Sequence, residues 1–411
     1  MLCEFDWHVQ QEKGSGNYPL PSLTNPILPM FAIDRWATGP GQHTREIYDR
    51  MRPALQLASL WLNDDHCLLW FSHLTFGEWR ANAEGKMYIS STSYSASPMA
   101  LQIVKAKLSE FGKVIIFMFF PSSYKEHRWG TTVSGKEHFS FFHEYRKSDF
   151  PPVLSSEGVR NPCIALARGF DEFFRKLWSR GATVDDCYRA QFMLACVLGH
   201  EVAHAYAMFI GQFDSRGREP LWSATEKHAE LGYSWEMNVI GHVIMPIADD
   251  AHKNGCFKNQ LNATNVQTAL PGGNGNRLSV IHDLKEGSRA EFTSRDASGN
   301  RRSWPALNAI DFRGAKWSLS DNSPSFIASI HIIPVPWVVC WFQKDVWASL
   351  KARWIHHSLY IPPPLTKAFM IIYERNGGPA TILRPLNPRN RVDAKILENR
   401  RRKEAELSGI T

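Results

Sequence analysis

A chain of 411 residues, 44% hydrophobic and 21% charged, has enough material to bury a substantial core in one large or two ordinary domains, as a soluble globular protein does. Its net charge of +7 is modest for that length and part of it sits in the C-terminal tail, so it gives no clear sign of nucleic-acid binding. Seven scattered cysteines without a C-x-x-C pair argue against a disulfide framework and for reduced thiols. The opening M-L-C-E-F-D-W-H-V-Q-Q-E-K lacks a basic segment followed by an apolar one, so no secretory signal is visible and a cytoplasmic or nuclear location is expected.

Residues 1–40, rich in Pro, Gly and Asn, read as an irregular arm. A domain is expected over 41–386, with its core at 160–245. Ile47, Met51, Leu55, Ala58 and Leu62 recur at helical spacing from Thr44 onward, with Pro53 expected to kink or split the helix. Trp61 and Trp70, around Asp64-Asp65-His66, read as packing residues. Strands are expected at Lys86–Ser95 and Lys113–Phe120, the latter apolar enough for a sheet interior. Residues 121–137 read as a loop, followed by a short strand at His138–Tyr145. Pro162–Arg168 reads as a strand, which could be the sheet edge that pairs with an extended peptide. Asp171–Arg180 reads as a helix stopped by Gly181.

The next stretch carries the chemistry. Between Arg189 and Asp214 the titratable groups of ordinary charge are His200, Glu201 and His204, set in an almost unbroken apolar run. Thr183 with Asp185 and Asp186 forms a helix N-terminus, placing this H-E-x-x-H motif near the middle of the helix. At i and i+4 the two imidazoles stack about 6 Å apart at Cβ, and both reach one Zn²⁺ at about 2.0–2.1 Å. Glu201 projects beside them and can act as base on a zinc-bound water. The apolar run is about long enough to cross a bilayer, but three ionisable groups at its centre argue against a membrane span.

A catalytic zinc needs a third protein ligand. A third histidine in the H-E-x-x-H-x-x-G-x-x-H pattern fails here, because Ala207 and Ile210 occupy the required positions. Glu226, Glu230 and Glu236 follow His204 after 21, 25 and 31 intervening residues, far enough for a second helix to come alongside. Ser223 is expected to cap that helix, over S-A-T-E-K-H-A-E-L-G-Y-S-W-E-M-N-V-I-G-H. Glu226 and Glu230 would then share a face, and helical phase does not separate them. One could bind zinc while the other orients a histidine.

Beyond it, residues 249–303 read as a surface loop insertion, and P-G-G-N-G-N at 271–276 lacks the context of a phosphate loop. A strand is expected at Phe326–Val335. A helix over about 340–355 should turn Trp341, Val346, Leu350 and Trp354 inward, and a last strand is expected at Lys367–Tyr373. Residues 387–411 form a charged tail, read as solvated helix or disorder, with a nuclear-import patch as the minority reading.

The H-E-V-A-H at 200–204, E-P at 219–220 and A-E-L-G-Y-S-W-E at 229–236 resemble zincin metallopeptidases of the kind that use a downstream glutamate (gluzincin-like). They are most similar to fungal proteins with the pattern H-E-x-x-H…E-P…E-x-G-x-x-W-E. That resemblance implies an α+β, zincin-like fold in which a small mixed or antiparallel sheet packs on the buried H-E-x-x-H helix and a following Glu-bearing helix. It implies metal ligands His200, His204 and Glu230, with Glu236 as the acid of the W-E pair and Glu201 as the catalytic base. T-E-K-H-A-E-L-G also resembles the E-x-x-x-D element of membrane zincins, which would instead make Glu226 the ligand and Glu230 a supporting acid. A zinc metallopeptidase acting on a peptide or protein is therefore expected, and an inactive zincin-like binding protein is the alternative. Tyr206, His228, Tyr233 and His242 are the nearby candidates for oxyanion stabilisation.

Overall fold

The structure is a computed structural model, and it describes residues 17–121, 129–133, 144–151, 162–213, 217–224, 226, 229–242, 244, 292–295, 301–304, 328–332, 335–363, 369–375 and 381–384. Residues 17–40 are irregular, with short 3₁₀ turns at Pro29–Phe31 and Ile33–Arg35. They lie against the body of the protein: Met30, Phe31 and Trp36 are buried, and Ser22 donates to Gln343 at 3.1 Å.

Helix α1 (Thr44–Trp61) runs unbroken for 18 residues through Pro53. The expected split does not occur because Gln191 repairs the ladder from a neighbouring helix. Its side-chain oxygen accepts the Ala54 N–H at 2.9 Å and its amide donates to the Arg50 carbonyl, the two groups that would otherwise bond each other. Helix α2 (Asp65–Phe76) leads into a hairpin of β1 (Glu78–Ala81) and β2 (Met87–Ser90). The strand read at Lys86–Ser95 stops at Ser90, and a 3₁₀ turn follows at Ser93–Ala96. Helix α3 (Pro98–Phe111) starts on a Ser97 cap.

Strands β3 (Ile116–Phe119), β4 (Gly130–Val133) and β5 (Cys163–Leu166) form a sheet in the order β3-β5-β4, with β3 parallel and β4 antiparallel to β5. The apolar β3 is wholly buried, as its composition requires. Strand β5, the expected peptide-pairing edge, is the central strand and has no free edge; that expectation is overturned. The edge next to it is β4, inside the stretch read as a loop. Residues 138–143 of the expected His138–Tyr145 strand lie outside the described residues, and Tyr145 is not in a strand. The helix read at Asp171–Arg180 is three short pieces: α4 (Arg168–Glu172), a π turn at Phe173–Leu177 and a 3₁₀ turn at Trp178–Arg180. Gly181 ends it at φ 95°, the left-handed conformation expected of it.

Helix α5 (Val184–Phe209) is the 26-residue axis of the fold. Thr183 and Asp186 close a capping box, with Asp186 N–H to Thr183 Oγ1 at 3.2 Å and Thr183 N–H to Asp186 Oδ2 at 3.0 Å. By length and composition α5 could cross a membrane, and 78% of its most apolar stretch is buried inside this fold. Helix α6 (Leu231–Val239) packs along it, capped by Glu230 rather than Ser223. The longer helix expected from Ser223 does not form: a single turn closes instead, with the Glu226 N–H on the Ser223 carbonyl at 3.2 Å and the Glu226 carboxylate turned back onto the Trp222 N–H. Leu221 bridges β2 in parallel, accepting from Ile89 N–H and donating to the Met87 carbonyl, each at 2.9 Å.

Strands β6 (Phe292–Arg295) and β7 (Arg301–Trp304) form a hairpin within the stretch read as loop insertion. Strand β8 (Ala328–Ile332) joins a fourth sheet. The helix expected over 340–355 is two, α7 (Val335–Cys340) and α8 (Lys344–His357). Trp341 and Leu350 are buried as expected, while Val346 and Trp354 are half-buried. Strands β9 (Phe369–Arg375) and β10 (Thr381–Arg384) complete a sheet in the order β10-β9-β8, and residues 387–411 lie outside the described ones. The chain is thus a mixed α/β protein with small sheets. Its aromatic core centres on Trp61, whose ring meets Phe192, Trp235 and Trp341 edge-on at centroid distances of 6.1, 5.7 and 5.4 Å.

Candidate metal centre

The two histidines project from one face of α5, where α6 and the segment before it close over them. Two glycines make that approach possible. A Cβ at Gly199 would lie 2.0 Å from the Trp235 ring, and one at Gly232 would lie 2.4 Å from the His200 ring. Either would push α6 off α5.

His200 Nε2 and His204 Nε2 are 3.2 Å apart, and Glu230 Oε1 lies 3.2 Å from the first and 3.1 Å from the second. The opposite ring nitrogens are both engaged. His200 Nδ1 lies 2.8 Å from Glu236 Oε1, and His204 Nδ1 bonds Glu219 Oε1. A carboxylate only accepts, so each Nδ1 carries a proton and donates it. In the neutral imidazoles the two Nε2 lone pairs then face the same point as the Glu230 oxygen. Three electron pairs aimed at one point repel unless a proton or a cation lies among them.

Burial alone would lower the histidine pKa values, but the carboxylates outweigh it. Glu230 and Glu236 push His200 up to about 10, and Glu219 and Glu230 hold His204 well above its ordinary value. Burial would raise Glu230, yet the two imidazoles hold it well below the usual carboxylate range. Glu236 is raised, by burial first. The raised imidazoles hold their protons tightly, and a cation at the converging atoms would take the place of those protons.

The donor set fits such a cation. Ligands at about 2.0–2.1 Å around a tetrahedral Zn²⁺ lie roughly 3.3–3.4 Å from one another. The separations of 3.1 to 3.2 Å here need to open by only a little. Carboxylate partners on both Nδ1 atoms are the usual support of metal-bound histidines. Among the described residues, His200, His204 and Glu230 are the group of His, Cys, Asp or Glu that converges this way.

Glu226, the competing third ligand, is elsewhere. It is buried, accepts the Trp222 N–H at 2.7 Å, and is raised to about 7 by burial. It does not share a helical face with Glu230, since neither lies within α6. Glu236 meets His200 at Nδ1, away from the converging atoms. Glu219 was missed as a site residue: E-P at 219–220 marked it in the sequence, but nothing local pointed to His204. Of the other candidates, Tyr233 stands edge-on to His200 at a centroid distance of 5.0 Å. Tyr206 is buried and pairs with Thr75 at 2.8 Å, and His242 packs on Trp337 at 6.2 Å. His228 lies outside the described residues.

Glu201 is 6% exposed and lies under β4. Thr132 donates towards its Oε2 at 2.8 Å and its carbonyl at 3.0 Å. Gly130 gives it room, since a Cβ there would come within 2.7 Å of Glu201 Oε1. No protein-family model, no curated protein and no solved structure matches this chain.

Proposed function

We propose that the protein is a zinc-dependent hydrolase, a metallopeptidase of zincin-like fold acting on a peptide or protein substrate. One observation carries this reading: the convergence of His200 Nε2, His204 Nε2 and Glu230 Oε1 on one point, from a helix that carries Glu201 next to His200 in sequence. Bound Zn²⁺ supplies Lewis-acid polarisation of a carbonyl and acidifies water to a pKa of about 7. His200, His204 and Glu230 would hold it, with Glu236 and Glu219 keeping the imidazole protons on Nδ1. Glu201 is the base: it takes a proton from the attacking water and passes it to the leaving amine. Thr132 occupies Glu201 Oε2, leaving Oε1 for that proton.

Strand β4 supports a peptide substrate over other amides. It pairs with β5 on one side and has no strand on the other among the described residues. An extended peptide could add there, beside Glu201. The deciding experiment is metal analysis with peptidase assays on wild type, Glu201→Gln and His200→Ala. We expect about one zinc per chain in wild type, zinc retained but hydrolysis lost in Glu201→Gln, and zinc lost in His200→Ala. Absence of zinc from carefully purified wild type would falsify the reading.

The burial of Glu201 beneath β4 favours a second reading, a zincin-like protein that binds a partner without catalysis. In that case Glu201→Gln leaves every measured property unchanged while His200→Ala destabilises the fold.

A further inference from the structure

We infer that Glu219 is a positioning residue of the centre, a single carboxylate that holds His204 and the backbone of the Glu230 segment in register. The inference rests on the zinc reading above. Glu219 Oε1 takes the Nδ1–H of His204, and Oε2 accepts the N–H of Leu231 at 3.0 Å. Leu231 is the first residue of α6 and follows Glu230, whose own side chain caps the same helix through the Tyr233 N–H. One side chain therefore fixes the ring of one ligand and the main chain next to another.

Glu219 is itself firmly placed. Two residues on, Leu221 is bonded into the edge of β2. His73 then ties down the Trp222 carbonyl, its Nε2 lying 3.0 Å from that oxygen and 3.1 Å from the Ile89 oxygen. Glu236 does the related task for His200, with Oε1 on Nδ1 at 2.8 Å and Oε2 on the Ile244 N–H at 2.6 Å. Its two bonds join His200 to the chain after α6, whereas those of Glu219 join His204 to the chain at Glu230.

Tautomer choice makes the role more than structural. A carboxylate only accepts, so it forces the His204 proton onto Nδ1 and leaves the Nε2 lone pair for a metal. A carboxamide at this position can keep its oxygen on the Leu231 N–H. Its NH₂ then faces Nδ1 and selects the tautomer with the proton on Nε2, which cannot ligate.

The test compares wild type with Glu219→Gln and Glu219→Asp in three measurements: Zn²⁺ affinity by chelator competition, the visible spectrum of the Co²⁺-loaded protein, and the thermal midpoint of the metal-free protein. Glu219→Gln should bind Zn²⁺ about 10–100-fold more weakly and show shifted Co²⁺ bands, with the metal-free midpoint unchanged. Glu219→Asp keeps an acceptor-only group and should recover part of the affinity. Affinity within two-fold of wild type and a superimposable Co²⁺ spectrum overturn the inference. So does a loss of affinity that is the same in both variants and tracks a lowered midpoint, including failure of the metal-free variants to fold. Wild type without zinc affinity sinks the hydrolase reading itself, a separate outcome.

Discussion

Two regions supply the converging atoms, and they are built in opposite ways. Helix α5 places His200 and His204 by regular geometry, one turn apart on a continuous ladder with a capping box at its start. The segment at 217–230 places Glu219 and Glu230 with no helix or strand among its described residues. It is held by a bridge to β2, by the His73 contacts and by side chains bonding backbone. The contrast teaches that half of a converging donor set can rest on periodicity while the other half rests on distant partners. It also predicts that damage to the two halves will read out differently.

The largest effect is expected on the helical side. Gln191→Leu would strip the partners from the Ala54 N–H and the Arg50 carbonyl where Pro53 interrupts α1. Two buried backbone groups left unpaired should lower stability by about 2–4 kcal/mol, seen as a lower urea midpoint. An unchanged midpoint would show that α1 closes its own ladder and that α5 does not brace it.

On the irregular side the expected effect depends on pH. Burial raises Glu226 to about 7 from an ordinary 4.5, so the folded state holds that proton more tightly than the unfolded chain. The stability it contributes is fully present below about 4.5 and is lost as pH rises through 7. Glu226→Gln removes the buried charge while keeping an oxygen for the Trp222 N–H. It should match wild type near pH 4.5 and exceed it by about 1–3 kcal/mol at pH 8.5, in thermal melts across that range. Parallel curves at all pH would place Glu226 in contact with solvent.

A smaller effect should appear where the two regions touch. Gly199→Ala gains about 0.5–1 kcal/mol in helix propensity. The added Cβ would meet the Trp235 ring at 2.0 Å, and overpacking of that kind costs about 1–3 kcal/mol. The net loss should be about 1–2 kcal/mol, accompanied by weaker Zn²⁺ binding as α6 moves away. A stabilised variant with full affinity would mean that α6 moves aside freely.

The helical half was legible because its signals are local. Thr183 caps α5 as expected, with Asp186 closing a box on it, and the isolation of His200, Glu201 and His204 in an apolar run marked the face. The apolar β3 and the stop at Gly181 were readable for the same reason. The other half was not, since its contacts join residues far apart in sequence. Leu221 pairs with Met87 and Ile89, and Gln191 rescues Pro53 from 138 positions away. Ser223 carried the local mark of a cap, yet only a single turn follows it, closed by Glu226. Strand β4 offered only G-T-T-V, too short and polar to stand out from a loop. Glu219 had no neighbour in sequence to betray its link to His204.

Trp235 and Gly199 also constrain how this chain could change. The indole fills the space beside the residue that precedes His200, and its own successor is the acid on His200 Nδ1. A smaller residue at 235 opens a void against the histidine helix, while a larger one at 199 expels the indole. Neither position can drift alone, so an engineer wishing to remodel the aromatic interior must alter both together or leave both untouched.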